Sequence, residues 1–226
     1  MIHADAWLGL NDQHLVDVGN GHQLHADAAH AFKAMQSHAA RDGQDMQIVS
    51  SYRGFQRQLS IWNRKWTGEL PLLDENDQPL DAKALTDEQK VYAILTWSAL
   101  PGGSRHHWGT DLDVYDKIAV EACGGKLDLV DAEYREGGPC FALANWMDAH
   151  LAEHGFMRPF MENNGGVATE LWHLSFAPTA AEFEALRNPE QLRACLAQAE
   201  MQGKSTVLAM FDELYPRYVL NEGVTA

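Results

Sequence analysis

Residues 104–113 read SRHHWGTDLD, placing two imidazoles, a glycine and two carboxylates within one short stretch. Histidine and carboxylate together suit zinc, and a purely structural turn needs neither imidazole. The downstream half, TDLDVYD (110–116), alternates polar and apolar residues as a half-buried strand does. In that alternation Asp111, Asp113 and Tyr115 share one face and Leu112 and Val114 the other. A strand with carboxylates on one face and aliphatic side chains on the other predicts a sheet that carries a polar site on one side and a core on the other.

Working outward, AHAFKAMQSHAARDG ends a helical pattern over 25–43 that carries Ala29, Phe32, Met35 and Ala39, and MQIVSSYR follows as a short strand. GFQRQLSIWNRKW returns to helical spacing through Phe55, Leu59, Trp62 and Trp66. The acidic, proline-bearing PLLDENDQPLDAKA reads as a surface loop. Thr86 and Gln89 form a capping box ahead of a helix with Val91, Ile94 and Leu95, which ALPGG breaks just before Ser104. Pro139 opens a helix bearing Phe141, Ala144, Met147 and Leu151 that stops near Gly155. LWHLSF is the last strand candidate, and beyond Pro178 three successive segments are helical. Helices before and between a few short strands predict an α+β fold, a small antiparallel sheet flanked by helices. The expected organisation is a domain over 1–178 with a C-terminal helical extension, 179–226, packed on it.

The 226 residues carry 17 Lys and Arg against 32 Asp and Glu, a net charge of −15. Such a surface cannot neutralise phosphates, so nucleic-acid binding is excluded as an expectation, and an anionic membrane is disfavoured for the same reason. No apolar run reaches the roughly 18 residues of a bilayer span. The amino-terminal MIHADAWLGLND lacks the pattern of a secretory signal, which leads to a cytoplasmic expectation with a periplasmic location as the alternative. Cys123, Cys140 and Cys195 show no CxxC spacing and read as small buried thiols, with a Cys123–Cys140 bridge left open.

A second segment, ELWH (170–173), adds a carboxylate and a histidine in a strand-like setting. The candidates are then His106, His107, Asp111, Asp113, Glu170 and His173, more than the three protein ligands a catalytic zinc requires. A base beside the metal, but not on it, is also needed, and Glu170 next to His173 has that form. On a regular strand Glu170 and His173 would face opposite sides, so this assignment requires Glu170 to sit in the turn before the strand. The helical motif HExxH is absent, so the ligands must come from separated elements. His14, His22, His25, His30, His38, His150 and His154 are assigned to solvation or hydrogen bonding within the fold.

PGGSRHHWGTDLD resembles the SxHxxGxxxD signature of the VanY-type D-alanyl-D-alanine carboxypeptidases, which belong with lysostaphin-like enzymes and the hedgehog fold among the LAS-type zinc peptidases. The likeness rests on Pro101, Gly102, Ser104, His106, Gly109 and Asp113, on Glu170, Trp172 and His173 for ExWH, and on Tyr52, Arg53 and Gln58 of SSYRGFQRQ. The HGF at 154–156 is similar to the segment preceding the last core strand. The resemblance implies His106, Asp113 and His173 as zinc ligands, Glu170 as catalytic base, and Arg53 as the cation for substrate or developing negative charge. It also implies Ser104 and Gln58 as substrate-site residues. His107 and Asp111 are left for supporting roles, and Trp108 and Trp172 for packing. The acidic stretch 69–85 and everything after 178 lie outside the likeness.

The implied activity is a zinc metallopeptidase that removes terminal D-alanine from peptidoglycan-type peptides. A family endopeptidase cutting inside such peptides is the alternative, and a non-catalytic, zinc-stabilised binding module is the alternative of another class. Retention of Glu170 argues for an enzyme, because a purely structural metal has no use for a base.

Overall fold

In a computed structural model, which describes residues 2–75 and 77–224, the chain folds around a four-stranded antiparallel sheet. Its strands are β3 (Met46–Ser50), β6 (Asp111–Asp116), β7 (Phe156–Met157) and β8 (His173–Phe176), in spatial order β3-β6-β8-β7. An amino-terminal hairpin, β1 (Leu15–Gly19) and β2 (His22–His25), leads into α1 (Ala26–Arg41). Then come α2 (Phe55–Trp66), a second hairpin of β4 (Leu72–Leu73) and β5 (Pro79–Leu80), and α3 (Asp87–Trp97). After β6 the helices are α4 (Lys117–Ala122), α5 (Asp131–Tyr134) and α6 (Phe141–His150). After β8 they are α7 (Ala177–Glu184), α8 (Pro189–Gln198), α9 (Lys204–Ala209) and α10 (Phe211–Leu214).

The period of two in β6 is realised as expected. Leu112, Val114 and, from β8, Leu174 are fully buried against Phe32 and Met35 of α1 and Leu143 and Met147 of α6. Each such aliphatic or aromatic side chain contributes on the order of 1.5–3 kcal/mol by leaving water. This layer leaves the opposite face of β6 to Asp111 and Asp113. A second core gathers Phe55, Leu59, Trp62 and Trp66 of α2 with Val91, Ile94 and Leu95 of α3. Phe183, Leu192, Val207, Phe211 and Leu214 from the carboxy-terminal helices complete it, so residues 179–224 share one core with α2 and α3.

The capping box opens α3 as read, with Thr86 Oγ1 accepting from Gln89 N–H and Gln89 accepting from Thr86 N–H. Three local readings need correction. The stretch 71–84 is not plain loop: it forms the β4–β5 hairpin because Leu72 is drawn into the α2–α3 core. Pro139 precedes α6, whose cap is Cys140, and the face it buries is Leu143, Ala144, Trp146 and Met147, leaving Phe141 half-buried. Of the three free cysteines only Cys140 is buried, while Cys123 is exposed. The β1–β2 hairpin was missed outright. Its turn has Asn20 at φ 53° and Gly21 at φ 77°, the Asn-Gly pair that favours a tight hairpin being the signal available in the sequence. Among the described residues no helix is long and apolar enough to cross a membrane.

Candidate active site

The register of the sheet assembles the site. Asp113 is paired with His173 on β8 and with Ser50 on β3, and Asp111 is paired with Ser175. Cross-strand partners stand on the same face, so two strands that are far apart in sequence bring Asp111, Asp113 and His173 together. His106 comes from a 3₁₀ turn, Arg105–Trp108, that ends at Gly109 with φ 70°. A Cβ on Gly109 would lie 2.4 Å from Leu15 Cδ2 and 2.8 Å from His25 N, so only glycine lets the chain turn from His106 into β6 against the amino-terminal hairpin. Glu170 lies before β8 in the turn closed by His173 N–H to Glu170 O, which removes the parity conflict of a continuous strand.

The nitrogen and oxygen atoms of His106, Asp113 and His173 lie within 4.8 Å of one another, and all three residues are buried. His106 Nδ1 donates to Ser51 O at 2.9 Å, leaving Nε2 3.4 Å from Asp113 Oδ2. His173 Nε2 donates to Asp111 Oδ1 at 2.9 Å, leaving Nδ1 3.2 Å from Asp113 Oδ1 and 3.3 Å from Glu170 Oε2. Each imidazole thus has its outer nitrogen engaged and its inner nitrogen turned to a common point. Asp113 Oδ1 is buried at that point with no hydrogen bond of ordinary geometry. This is the donor set of a divalent metal centre, two imidazoles and one carboxylate, each imidazole held from behind.

By themselves the site's residues hold their charges unevenly: His106 is kept neutral, while the acids around His173 favour a proton there that a metal would have to displace. Burial, reinforced by Arg53, pushes His106 down to about 3, which keeps it neutral. Burial would raise Asp113, but His106, His173 and Arg53 outweigh it and hold the carboxyl below its usual range. Burial opposes a charge on His173 too, yet its bonds to Asp111, Asp113 and Glu170 prevail and raise it well above an ordinary histidine. Glu170 is raised chiefly by burial, with His173 pulling the other way.

Asp111 is itself bound by Arg105 Nε at 2.8 Å, Thr110 Oγ1 at 2.7 Å and Ser175 Oγ at 3.0 Å. Arg105 also donates to Glu184 and Ser175, so each of its three nitrogens has a partner and one of them braces this carboxylate. His107 points elsewhere: its Nδ1 donates to Arg53 O while its Nε2 accepts from Gly102 N–H at 2.9 Å, and burial lowers it to about 4. It pins the Arg53 loop to the 101–103 turn.

A cavity of about 320 Å³ opens onto His106, Glu170 and His173. Arg53 and Ser104 line it as well. Arg53 Nη1 donates to Ser50 Oγ at 3.2 Å, whereas its Nε is buried without a partner. Gln58 is not in the lining. It is fully buried behind it and donates to Ala99 O at 2.8 Å and Ser98 Oγ at 3.2 Å, the two residues that form that stretch of wall. Sequence reading missed the part of the wall that comes from the carboxy-terminal region, Arg187 in the loop between α7 and α8 and Tyr218, Val219, Leu220 and Asn221 after α10. Arg187 lies 4.9 Å from the Trp108 ring, which Arg105 also approaches at 4.6 Å, and its Nε is buried without a hydrogen-bond partner among the described residues.

With this arrangement in view, the sequence profile of the D-alanyl-D-alanine carboxypeptidases (VanY) matches residues 21–179. The chain belongs to that family. An uncharacterised protein of Haemophilus influenzae is 43% identical over 96 residues, 41% of this chain and 66% of that protein. A D-alanyl-D-alanine carboxypeptidase of Enterococcus faecalis is 24% identical over 168 residues, and the chain spans about half of its length (52%). Among solved structures, VanYB in complex with D-alanine-D-alanine is 21% identical with a TM-score of 0.55, covering 84% of this chain and 92% of that one. A vancomycin-resistance D,D-pentapeptidase in complex with Zn(II) is 20% identical at TM-score 0.54, covering 81% and 90%. The fold is therefore that of the VanY-type peptidases, and family membership supports a peptidase of the D-Ala-D-Ala class. The match stops at 179, so Arg187 and the 218–221 wall lie beyond it.

Proposed function

We propose that the chain is a zinc-dependent carboxypeptidase that hydrolyses the terminal D-alanine of peptidoglycan-type peptides. The observation that carries this reading is the convergence of His106, Asp113 and His173 at one point, with His106, His173 and the largely buried Glu170 opening onto one cavity. A purely structural zinc site is closed by four protein ligands, whereas three ligands beside a carboxylate suit catalysis. The Zn(II) in the D,D-pentapeptidase neighbour supports the choice of metal. Zinc held there would polarise the scissile carbonyl and activate the attacking water.

The chain's own residues supply the rest. Glu170, raised by burial and 3.3 Å from the ligand His173, is placed to take the water's proton and return it to the leaving amine. Its raised pKa suits a group that must do both near neutrality. Arg53, which lines the cavity and has Asp113 and Glu170 as its acidic neighbours, meets the developing oxyanion or the substrate's terminal carboxylate. Arg187 lines the same cavity and has Arg105, Glu184, Tyr215 and Asp111 as its charged or titratable neighbours. Its guanidinium suits a second carboxylate elsewhere on the peptide. The cavity's size limits the occupant to a short peptide end.

The test is mass spectrometry of products after incubating the zinc-loaded chain with a stem pentapeptide ending in D-Ala-D-Ala. Loss of one terminal alanine is expected. Internal fragments would make it an endopeptidase, and zinc uptake with no cleavage would leave a binding module.

A further inference from the structure

We infer a second transition-metal site, remote from the cavity, where the end of α1 meets the end of α6. His38 and Asp42 stand one turn apart at the end of α1, and His150, Glu153 and His154 lie at the end of α6 and in the 3₁₀ turn that follows. His38 Nδ1 is 3.1 Å from His154 Nε2, and His150 Nδ1 is 3.1 Å from Glu153 Oε1. Donor atoms of His38, His150 and Glu153 all lie within 4.8 Å of one another. Ligand atoms around a tetrahedral zinc, with Zn–N about 2.0–2.1 Å, stand roughly 3.3 Å apart, so the two 3.1 Å pairs already match that spacing and the wider separations close by side-chain rotation.

The surroundings are built in the way metal ligands are built. His38 Nε2 faces Asp42 Oδ2 at 3.5 Å, and that same oxygen accepts from Trp146 Nε1 at 2.8 Å. The carboxylate thus holds one nitrogen of His38 from behind and turns the other toward His154 and His150, the same device as Asp111 behind His173. Trp146 packs against His150 and His38 with ring centroids at 4.8 and 5.2 Å, which restrains both imidazoles and shields the cluster on one side. A contact between two imidazole nitrogens accommodates one proton at most; a divalent ion accepts both lone pairs. Two imidazoles with one carboxylate, and a third imidazole beside them on His154, select an ion of the zinc, nickel or copper class over calcium or magnesium. The chain's net charge of −15 concentrates such cations at its surface.

This ion would tie α1 to α6, the two helices that cover the apolar face of the sheet, so its effect is on stability and not on chemistry. The site is independent of the proposed activity. It is tested on the full-length His173→Ala chain, in which the cavity triad is broken, by zinc titration with metal analysis after gel filtration and by thermal melting. One equivalent of zinc retained, with a rise in Tm on zinc addition, is expected, and both effects should vanish on adding His38→Ala. Should His38→Ala disturb folding, His154→Gln is read in the same way against its own metal-free Tm. Zinc that is not retained, or zinc retained equally with and without His38, overturns the inference. In either event the cleavage assay on the wild-type chain still decides the proposed activity separately.

Discussion

Asp111 Oδ1 stands 2.9 Å from His173 Nε2 across the β6–β8 ladder, so one residue of the strand fixes the tautomer of a histidine contributed by another. The imidazole is thereby committed to presenting Nδ1 to the point shared with His106 and Asp113. Asp111→Asn removes the charge that orients this ring and also leaves Arg105 short of its main partner. Zinc affinity at the cavity should fall by roughly 10- to 100-fold, as for other carboxylates behind metal-bound histidines. Competition with a chromophoric chelator measures it, and unchanged affinity would contradict the role.

Arg187→Gln should raise KM for an acidic stem peptide about tenfold or more with little change in kcat, the loss expected for one charge-assisted contact made equally in ground and transition states. Arg187→Lys should recover part of it. Steady-state kinetics on a carboxylate peptide and its carboxamide counterpart decide the matter. An equal loss on both would show that Arg187 acts only through its contact with Trp108.

Gly109→Ala puts a methyl into Leu15 and the backbone of His25 at a left-handed φ. The conformational cost is about 1–2 kcal/mol and the overpacking a further 1–3 kcal/mol. Thermal unfolding of the metal-free chain should show a Tm lower by several degrees, together with weaker zinc retention because His106 and β6 lose their relative placement. A variant as stable as the wild type would refute the close approach.

The candidate ligands were legible as a group because their information is local, while the choice of His106, Asp113 and His173 among them came from the likeness to the VanY family. The alternation of β6 separated Asp111 and Asp113 from Leu112 and Val114, and requiring Glu170 to precede the strand anticipated the turn at 170–173. Asp111 was placed among possible supports of the metal, but its pairing with His173 depends on strand register, which no local pattern states. Gln58 was read as substrate-facing from its motif; burial of α2 turns it behind the wall it braces. Arg187 and residues 218–221 gave no sign at all. The helices that flank them show only the spacing of a packed core, and their place in the cavity wall depends on packing between segments distant in the chain. Arg105 was similarly opaque until Asp111 and Glu184 were seen on either side of it.

The central claim, that Glu170 is a base and His173 a ligand, is tested most directly by zinc content and kcat measured together on Glu170→Gln and His173→Ala. Glu170→Gln should hold as much zinc as the wild type, melt at a similar temperature and turn over roughly 10²-fold or more slowly. His173→Ala should hold one equivalent less zinc than the wild type and lose activity with it. If Glu170→Gln instead lost its zinc while His173→Ala kept it, the roles in ELWH would be inverted and the mechanism abandoned.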